Sequence, residues 1–384
     1  MTVSRRLQPF GVTIFTEMTA LAQAHDAINL GQGFPDWEGP DFVKGAAAES
    51  MRRGDADQYP PMAGVPALRK AIAERYGPLL DREIDPDAEV TVTCGCTEAL
   101  TASMLGLVDA GDEVVLVSPY YDSYPVDLAF AGAVARHVTL RPPHFRLDPN
   151  ELEAAFSDRT RAILVNTPHN PSGRMFDAEE LGTVAELCQR HDAIAISDEV
   201  YEDITFGPEH LRLATLPGMA ERTVTLSSIG KTYSLTGWKV GWAIAPPALT
   251  AGVRAAHQYM TFTTPTPVQH GAVAALRAPA AFYDDLRAGY HARRDLLAVG
   301  LSDIGFDVHV PEGTYFMLAG YSRFSADDDR TFAKRLVTEQ GVAVIPPSVF
   351  YADPADGHGL IRFAFCKQTH VLEEAVTRLS ALTS

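Results

Sequence analysis

Lysine is scarce in this chain: six lysines stand against 26 arginines. Two of the six, Lys231 and Lys239, lie eight residues apart in "SSIGKTYSLTGWKVGW" (residues 227–242). An arginine stays charged, whereas a desolvated lysine can lose its proton and attack a carbonyl. Lys231 is therefore a candidate Schiff-base former, against the plainer reading of a lysine in a solvated loop. Gly230-Lys231-Thr232 also follows an apolar, β-branched run and imitates a nucleotide-binding P-loop. That motif requires glycine at position 225, where Thr225 stands, and a long helix after the lysine. Gly237 and a further apolar run arrive instead.

Four other positions carry candidate chemistry. In "AIAISDEVYEDI", Asp198 falls at the carboxyl end of an apolar run, with Tyr201 three residues on. Asp in such a place is commonly a helix N-cap. It can also hold a heterocyclic nitrogen protonated, as a pyridoxal site requires. In that case a helical turn would bring Tyr201 into the same pocket. "VNTPHNPSGR" (165–174) is rich in turn formers and places Asn170 just beyond another apolar run. "TCGCTEAL" (93–100) has the form of a strand–turn–helix junction, whose free N–H groups suit a phosphate. Arg362, in "LIRFAF", is a charge inside an apolar strand; it faces solvent or presents a fork to a carboxylate.

The elements that must position these residues follow an α/β pattern. Strands are expected at 89–93, 112–118, 161–166, 193–197, 223–228 and 241–245, with helices at 97–108 and 178–191 between them. Strands apolar on both faces, alternating with helices, imply a mostly parallel sheet covered on both sides. Ligands of such sheets sit at the strand carboxyl ends. After about residue 280 the pattern shifts to a long helix (282–303), strands near 314–319, 341–346 and 359–365, and helices at 329–340 and from His370. The expected division is a large domain at 46–280 and a small α+β domain at 281–384. Residues 1–45 form an arm that joins the small domain.

Composition narrows the partners. The 384 residues are 46% hydrophobic and 21% charged, ordinary for a globular protein. A formal charge of −17 argues against nucleic acid or an anionic membrane as partner. No run approaches a membrane span. The cysteines are Cys94, Cys96, Cys188 and Cys366. They form no metal or redox signature and suit a reducing, cytoplasmic compartment. "SRR" at 4–6 and "AQA" at 22–24 imitate an export signal, but Pro9, Glu17 and several threonines interrupt the apolar stretch between them. Zinc-protease, serine-hydrolase and dinucleotide-binding motifs are absent from the sequence.

The order of the motifs says more than any one of them. A glycine turn, N-P-x-G, S-D-E-x-Y, S-x-x-K with a basic residue eight further on, and a late R-F together resemble the class I aminotransferases. These are pyridoxal-phosphate enzymes of fold type I. "NLGQGFPD", "DQYPPMAGVPALRKAIAERY", "SDEVYEDITF" and "HQYMTF" extend the likeness over nearly the whole chain. They look most like the branch of kynurenine, glutamine and methionine aminotransferases, with N-succinyldiaminopimelate aminotransferases similar as well. The resemblance implies a seven-stranded, mostly parallel central sheet and a smaller α+β domain. It implies transfer of an amino group from an L-amino acid to a 2-oxo acid by a ping-pong route. Aspartate transamination and C–S β-lyase chemistry are the alternatives on the same scaffold.

Residue by residue, the resemblance implies that Lys231 bonds the cofactor covalently. Asp198 pairs with the pyridine nitrogen, and Tyr201 and Asn170 bond the phenolic oxygen. Tyr121 and Val200 cover the two ring faces. Gly95, Cys96, Thr97, Ser228 and Lys239 surround the phosphate, Cys96 through its backbone alone. Tyr59 reaches the phosphate of the neighbouring subunit, which makes a homodimer part of the site. Arg362, aided by Gly33 and Asn170, holds the substrate α-carboxylate. Tyr124, Phe262 and Phe350 are candidates for reading the substrate side chain.

Overall fold

The computed structural model describes residues 3–54 and 56–383. Twelve strands are found among them: β1 (Ile28–Asn29), β2 (Val90–Thr93), β3 (Glu113–Ser118), β4 (Val134–Thr139), β5 (Thr160–Asn166) and β6 (Ile194–Asp198), then β7 (Thr223–Ser228), β8 (Gly241–Ile244), β9 (Asp307–His309), β10 (Phe316–Gly320), β11 (Val342–Ala343) and β12 (Leu360–Ala364). Seven make one sheet in the order β2-β8-β7-β6-β5-β3-β4. Pairing is parallel from β4 through β7. Only β8 runs against its neighbours β7 and β2. The expected mostly parallel, seven-stranded sheet is thus present.

Alternation along the strands explains why both faces are covered. Leu116, Leu164 and Ile196 enter one apolar cluster, while Val115, Val117, Ile163, Val165 and Ala195 enter another. With period-2 side chains, each central strand feeds a core on each side. A third cluster, including Val90, Val92, Trp242 and Ile244, packs the β2–β8 end against helix Pro66–Leu79.

Three strands went unexpected: the short β1 and β9, and β4. In β4, Val134, Arg136 and His137 are exposed, so this edge strand lacks the continuous apolar run of its neighbours. The expected strand at 341–346 shrinks to the two residues of β11, which pair in parallel with β1. β12, β10 and β9 form an antiparallel sheet in that order. The β1–β11 pairing and the Ile14–Ala24 helix, whose Ile14 and Met18 are buried, bind the N-terminal segment to the C-terminal elements. Among the described residues, no helix is long and apolar enough to cross a membrane, and no His/Cys/Asp/Glu group could hold a metal ion.

Candidate active site

The candidate residues meet at the carboxyl ends of the central strands. β6 ends on Asp198, which lies opposite Asn166 of β5 and Leu226 of β7. β7 ends on Ser228, opposite Gly241 of β8, and Gly241 in turn faces Thr93 of β2. Gly95, Cys96, Thr97, Tyr121, Asn170, Asp198, Val200, Tyr201, Ser228, Lys231 and Lys239 line one cavity of about 160 Å³. A second chamber of about 130 Å³ adjoins it, lined by Gly33, Phe316 and Arg362 among others. Tyr121, Asn170, Tyr201 and Lys231 form walls of both.

The first cavity has an anion cradle at one end. β2 turns through Cys94 into helix Gly95–Leu107, and Gly95 adopts φ +78°, which glycine takes without strain. Lys239 lies close over this turn: a Cβ on Gly95 would stand 3.2 Å from its Nζ. The Lys239 amine donates to Thr97 Oγ1 at 3.4 Å. Among the described residues it has no carboxylate partner. A lysine against the positive end of a helix is an arrangement completed by an anion. Glu98 fixes the turn from behind, accepting from the Cys94 N–H, the Thr261 hydroxyl (2.6 Å) and the His257 ring (Nδ1, 2.6 Å). Gly241 permits the packing: a Cβ there would stand 2.5 Å from the Gly95 carbonyl carbon and 2.6 Å from the Cys96 nitrogen.

The same cavity holds a buried carboxylate. Asp198 caps no helix; a turn follows it, and its Oδ1 accepts from the Val200 N–H at 3.3 Å. Tyr201 therefore reaches the cavity from that turn rather than from a helix. Tyr124 donates to Asp198 Oδ2 at 2.8 Å and Cys96 Sγ donates to Oδ1 at 3.6 Å. Burial raises the proton affinity of Asp198, and these donors together with Lys231 oppose that rise only in part. Among the described residues no ion pair neutralises it. A cationic ring N–H would.

Lys231 sits in a one-turn helix, Ile229–Thr232, directly after β7. Burial lowers the proton affinity of its amine, against the opposing pull of Cys366, Asp198 and Cys96. Its Nζ lies 5.5 Å from the Tyr201 ring centre and 5.9 Å from that of Tyr315. The amine donates no hydrogen bond within the described residues. Tyr201 is pushed well above the ordinary phenol range by burial, so its hydroxyl keeps a proton to donate.

Arg362 faces the second chamber rather than solvent. It is 1% exposed, with its guanidinium carbon 4.1 Å from the Phe316 ring centre, 5.2 Å from Phe15 and 5.3 Å from Phe350. It donates to Asn170 Oδ1 at 3.1 Å and to the Gly31 carbonyl at 2.9 Å, while its Nε has no partner. Burial pulls its pKa down to about 10, which leaves it charged at neutral pH. A buried guanidinium with a spare donor and no counter-ion can receive a carboxylate.

Tyr59, expected at the phosphate of the neighbouring subunit, lines neither chamber of its own chain; it is 85% exposed and packs edge-on against Phe262, ring centres 5.6 Å apart. Phe262 is likewise outside both chambers. Tyr124 is committed to Asp198 instead of to a substrate side chain, and the Cys96 thiol as well as its backbone faces the site. Gly31, Phe316, Glu98 and Gly241 went unsuspected, because what they do depends on contacts between segments far apart in the chain.

An anion cradle, a buried carboxylate and an unbonded amine on one cavity fit the phosphate, the ring nitrogen and the aldehyde of pyridoxal phosphate. The chain agrees with relatives of that chemistry. Residues 25–379 match the family model described as aminotransferase class I and II. Methionine aminotransferase of Escherichia coli is 44% identical, over 98% of this chain and 97% of its own. A probable N-succinyldiaminopimelate aminotransferase of Mycobacterium tuberculosis is 46% identical over 100% of this chain and 98% of its own. The solved structure of N-succinyldiaminopimelate aminotransferase from Mycobacterium tuberculosis superposes with a TM-score of 0.95 at 46% identity, covering 100% of both chains. Human kynurenine–oxoglutarate transaminase 1 is 37% identical over 96% of each chain. Fold, site and sequence thus agree: this chain belongs to the class I and II aminotransferases and is a pyridoxal-phosphate-dependent transaminase of fold type I.

Proposed function

We propose that the two chambers divide the reaction, the first holding pyridoxal phosphate and the second the amino acid, with Lys231 acting on the wall between them. The observation that carries this is the placement of Lys231 and Arg362 on one chamber. The amine is made nucleophilic by burial, and the guanidinium lacks an anion. Bound pyridoxal phosphate supplies an electron sink for the pair left at the substrate α-carbon.

The chain's own residues do the rest. Lys231 would hold the cofactor through its amine, and, as the buried amine shared by both chambers, would take the proton from the substrate α-carbon as general base. Asp198 holds a proton on the ring nitrogen, itself positioned by Tyr124, Cys96 and Val200. Tyr201 and Asn170 would donate to the phenolic oxygen, and Tyr121 and Val200 would cover the ring faces; all four line the cavity. The Gly95, Cys96 and Thr97 turn, with Ser228 and Lys239, binds the phosphate. Arg362 orients the substrate through its α-carboxylate, beside Gly33 and Asn170. In a homodimer, Tyr59 would complete the phosphate site of the other subunit; its 85% exposure and its absence from the lining of this chain's own cavity support that assignment.

The amino donors are those with neutral side chains, of the methionine, glutamine or kynurenine kind. The second chamber is walled by Phe15, Tyr121, Tyr201 and Phe316, and its lining contains no cation besides Lys231 and Arg362. Aspartate would bring a second carboxylate with no partner there. N-Succinyldiaminopimelate is the second candidate, supported by the mycobacterial relative; its distal carboxylates require cations outside this chamber. The catalytic scaffold divides into a large domain (46–280) and a small one (281–384) that the N-terminal segment joins, a division supported by the β1–β11 pairing. Four free cysteines support a reducing cytoplasmic setting.

The test is a half-reaction screen that follows the cofactor's absorbance with methionine, glutamine, kynurenine, aspartate and N-succinyldiaminopimelate. Conversion by the neutral donors at least about tenfold faster than by aspartate is expected. Aspartate as the best donor overturns the substrate reading. Pyruvate and sulfide released from cysteine without any oxo acid would make the protein a lyase instead.

A further inference from the structure

The segment that carries Lys231 is a single helical turn, too short to hold itself. A four-residue helix has almost no internal hydrogen bonding, and helices of this length are unstable unless the tertiary structure fixes them. Two side chains bracket it. At its start, the Ser227 hydroxyl donates to Glu202 Oε1 at 2.7 Å. At its end, the Thr232 hydroxyl donates to Asp203 Oδ2 at 3.0 Å. Glu202 and Asp203 are adjacent, and each has its own arginine. Arg212 pairs with Glu202, and Arg75 grips both oxygens of Asp203 at 2.7 and 2.8 Å. Arg75 in turn lies 4.5 Å over the Tyr283 ring, whose hydroxyl meets that of Tyr233 at 2.6 Å.

None of these groups lines the cofactor cavity or the substrate chamber. Glu202 and Asp203 nevertheless follow Asp198 and Tyr201 in one short turn. The two segments that face the cofactor, 198–201 and 228–231, are thereby joined from behind by two hydroxyl–carboxylate–arginine chains. We propose that Asp203 and Thr232 are positioning residues for Lys231, holding its helical turn at the depth and angle from which the amine serves both chambers. This rests on the assignment of Lys231 as the covalent and proton-moving residue.

The two chains are not equivalent. Glu202 also accepts from Tyr76 and lies deep in the protein, so changing it risks the fold. Asp203 is bonded only by Thr232 and Arg75 among the described residues and borders a solvent groove. Thr232 is one residue from Lys231, and Thr232→Val removes its hydroxyl while nearly keeping its shape. A small displacement of a reacting group costs rate far more than it costs affinity.

The experiment compares wild type, Thr232→Val, Thr232→Ser and Asp203→Asn as cofactor-loaded proteins. It reads the pH midpoint of the cofactor's absorbance change, the half-reaction kcat and KM with methionine, and the melting temperature. Thr232→Val is expected to lower kcat by at least about tenfold with KM held within about twofold. Its absorbance midpoint should move by about half a pH unit or more, because the nitrogen on Lys231 changes surroundings. Thr232→Ser should restore both, and Asp203→Asn should move both in the same direction as Thr232→Val. A wild-type midpoint in Thr232→Val overturns the proposal whatever its activity, and so does a failure of Thr232→Ser to restore it. Should Asp203→Asn not fold, the two threonine variants decide. The assignment of Lys231 itself is judged separately, by borohydride reduction of the unsubstituted protein: a cofactor label on any other lysine overturns that assignment and not the hydroxyl–carboxylate geometry.

Discussion

Replacing Arg362 with methionine separates what the guanidinium does for the fold from what it does for the reaction. Burial pulls its pKa from the ordinary guanidinium range down to about 10, which corresponds to about 3 kcal/mol against keeping the charged form inside. An arginine with a lowered pKa bears this cost at every pH below about 10, since the charged form is then the one buried. Methionine removes that cost. It also leaves the Gly31 carbonyl and the Asn170 amide oxygen short of a donor, at about 1–3 kcal/mol each. The gain and the loss largely offset, so Arg362→Met should change unfolding stability by less than about 3 kcal/mol in either direction. Activity should respond quite differently. A substrate carboxylate that loses two charge-assisted hydrogen bonds, each worth about 1.5–3 kcal/mol, loses about 3–6 kcal/mol, or roughly 10²–10⁴ in half-reaction kcat/KM. Arg362→Lys should recover little of this, because an ammonium cannot present the fork. Denaturant titration of the cofactor-free protein and rapid-mixing absorbance with methionine measure the two halves. A variant within about fivefold of wild type in kcat/KM would refute the role given to Arg362. A stability loss above about 4 kcal/mol would refute the claim that the guanidinium is held in reserve for a ligand.

Other perturbations reach the cradle. Gly241→Ala places a Cβ within 2.6 Å of the Gly95–Cys96 peptide. It should weaken pyridoxal-phosphate affinity by at least about tenfold while leaving unrelated strands intact, as equilibrium dialysis and circular dichroism would show. The Glu98–His257 pair gives a pH signature. Burial opposes ionisation of both, yet Glu98 is held below 4.5 by His257, Thr261 and the Cys94 N–H, and His257 is raised above 6.5 mainly by Glu98. A lowered carboxylate contributes above its unfolded value and loses that as pH falls; a raised histidine contributes below its unfolded value and loses that as pH rises. The stability gap between wild type and His257→Gln should therefore be widest between pH 4.5 and 6.5 and narrow on either side. A gap that does not vary with pH in denaturant titrations would contradict it.

The alternation of apolar strands with helices made the central sheet legible, because strands buried on both faces leave a continuous apolar run. β4 escaped because an edge strand has one face in water, and "VARHVT" carries no such run. Asp198, Asn170 and Lys231 were legible as candidates because chemistry-bearing residues at strand ends stand out against apolar strands. What could not be read was which distant segments meet there. Tyr124 resembled a specificity residue until the fold turned its hydroxyl onto Asp198. Gly241 looked like one strand residue among many, although its missing side chain is what lets β8 lie against the Gly95 turn. Asp203 and Thr232 are separated by 29 positions, and only the parallel pairing of β6 with β7 brings their segments together.

The most direct test of the account is borohydride reduction of the cofactor-loaded protein followed by peptide mass spectrometry. The label should appear on Lys231, the lysine whose amine is buried between the two chambers, and Lys231→Arg should take up none despite keeping its charge. A label on Lys239 or any other lysine, or an unlabelled protein after incubation with pyridoxal phosphate, would contradict the central claim.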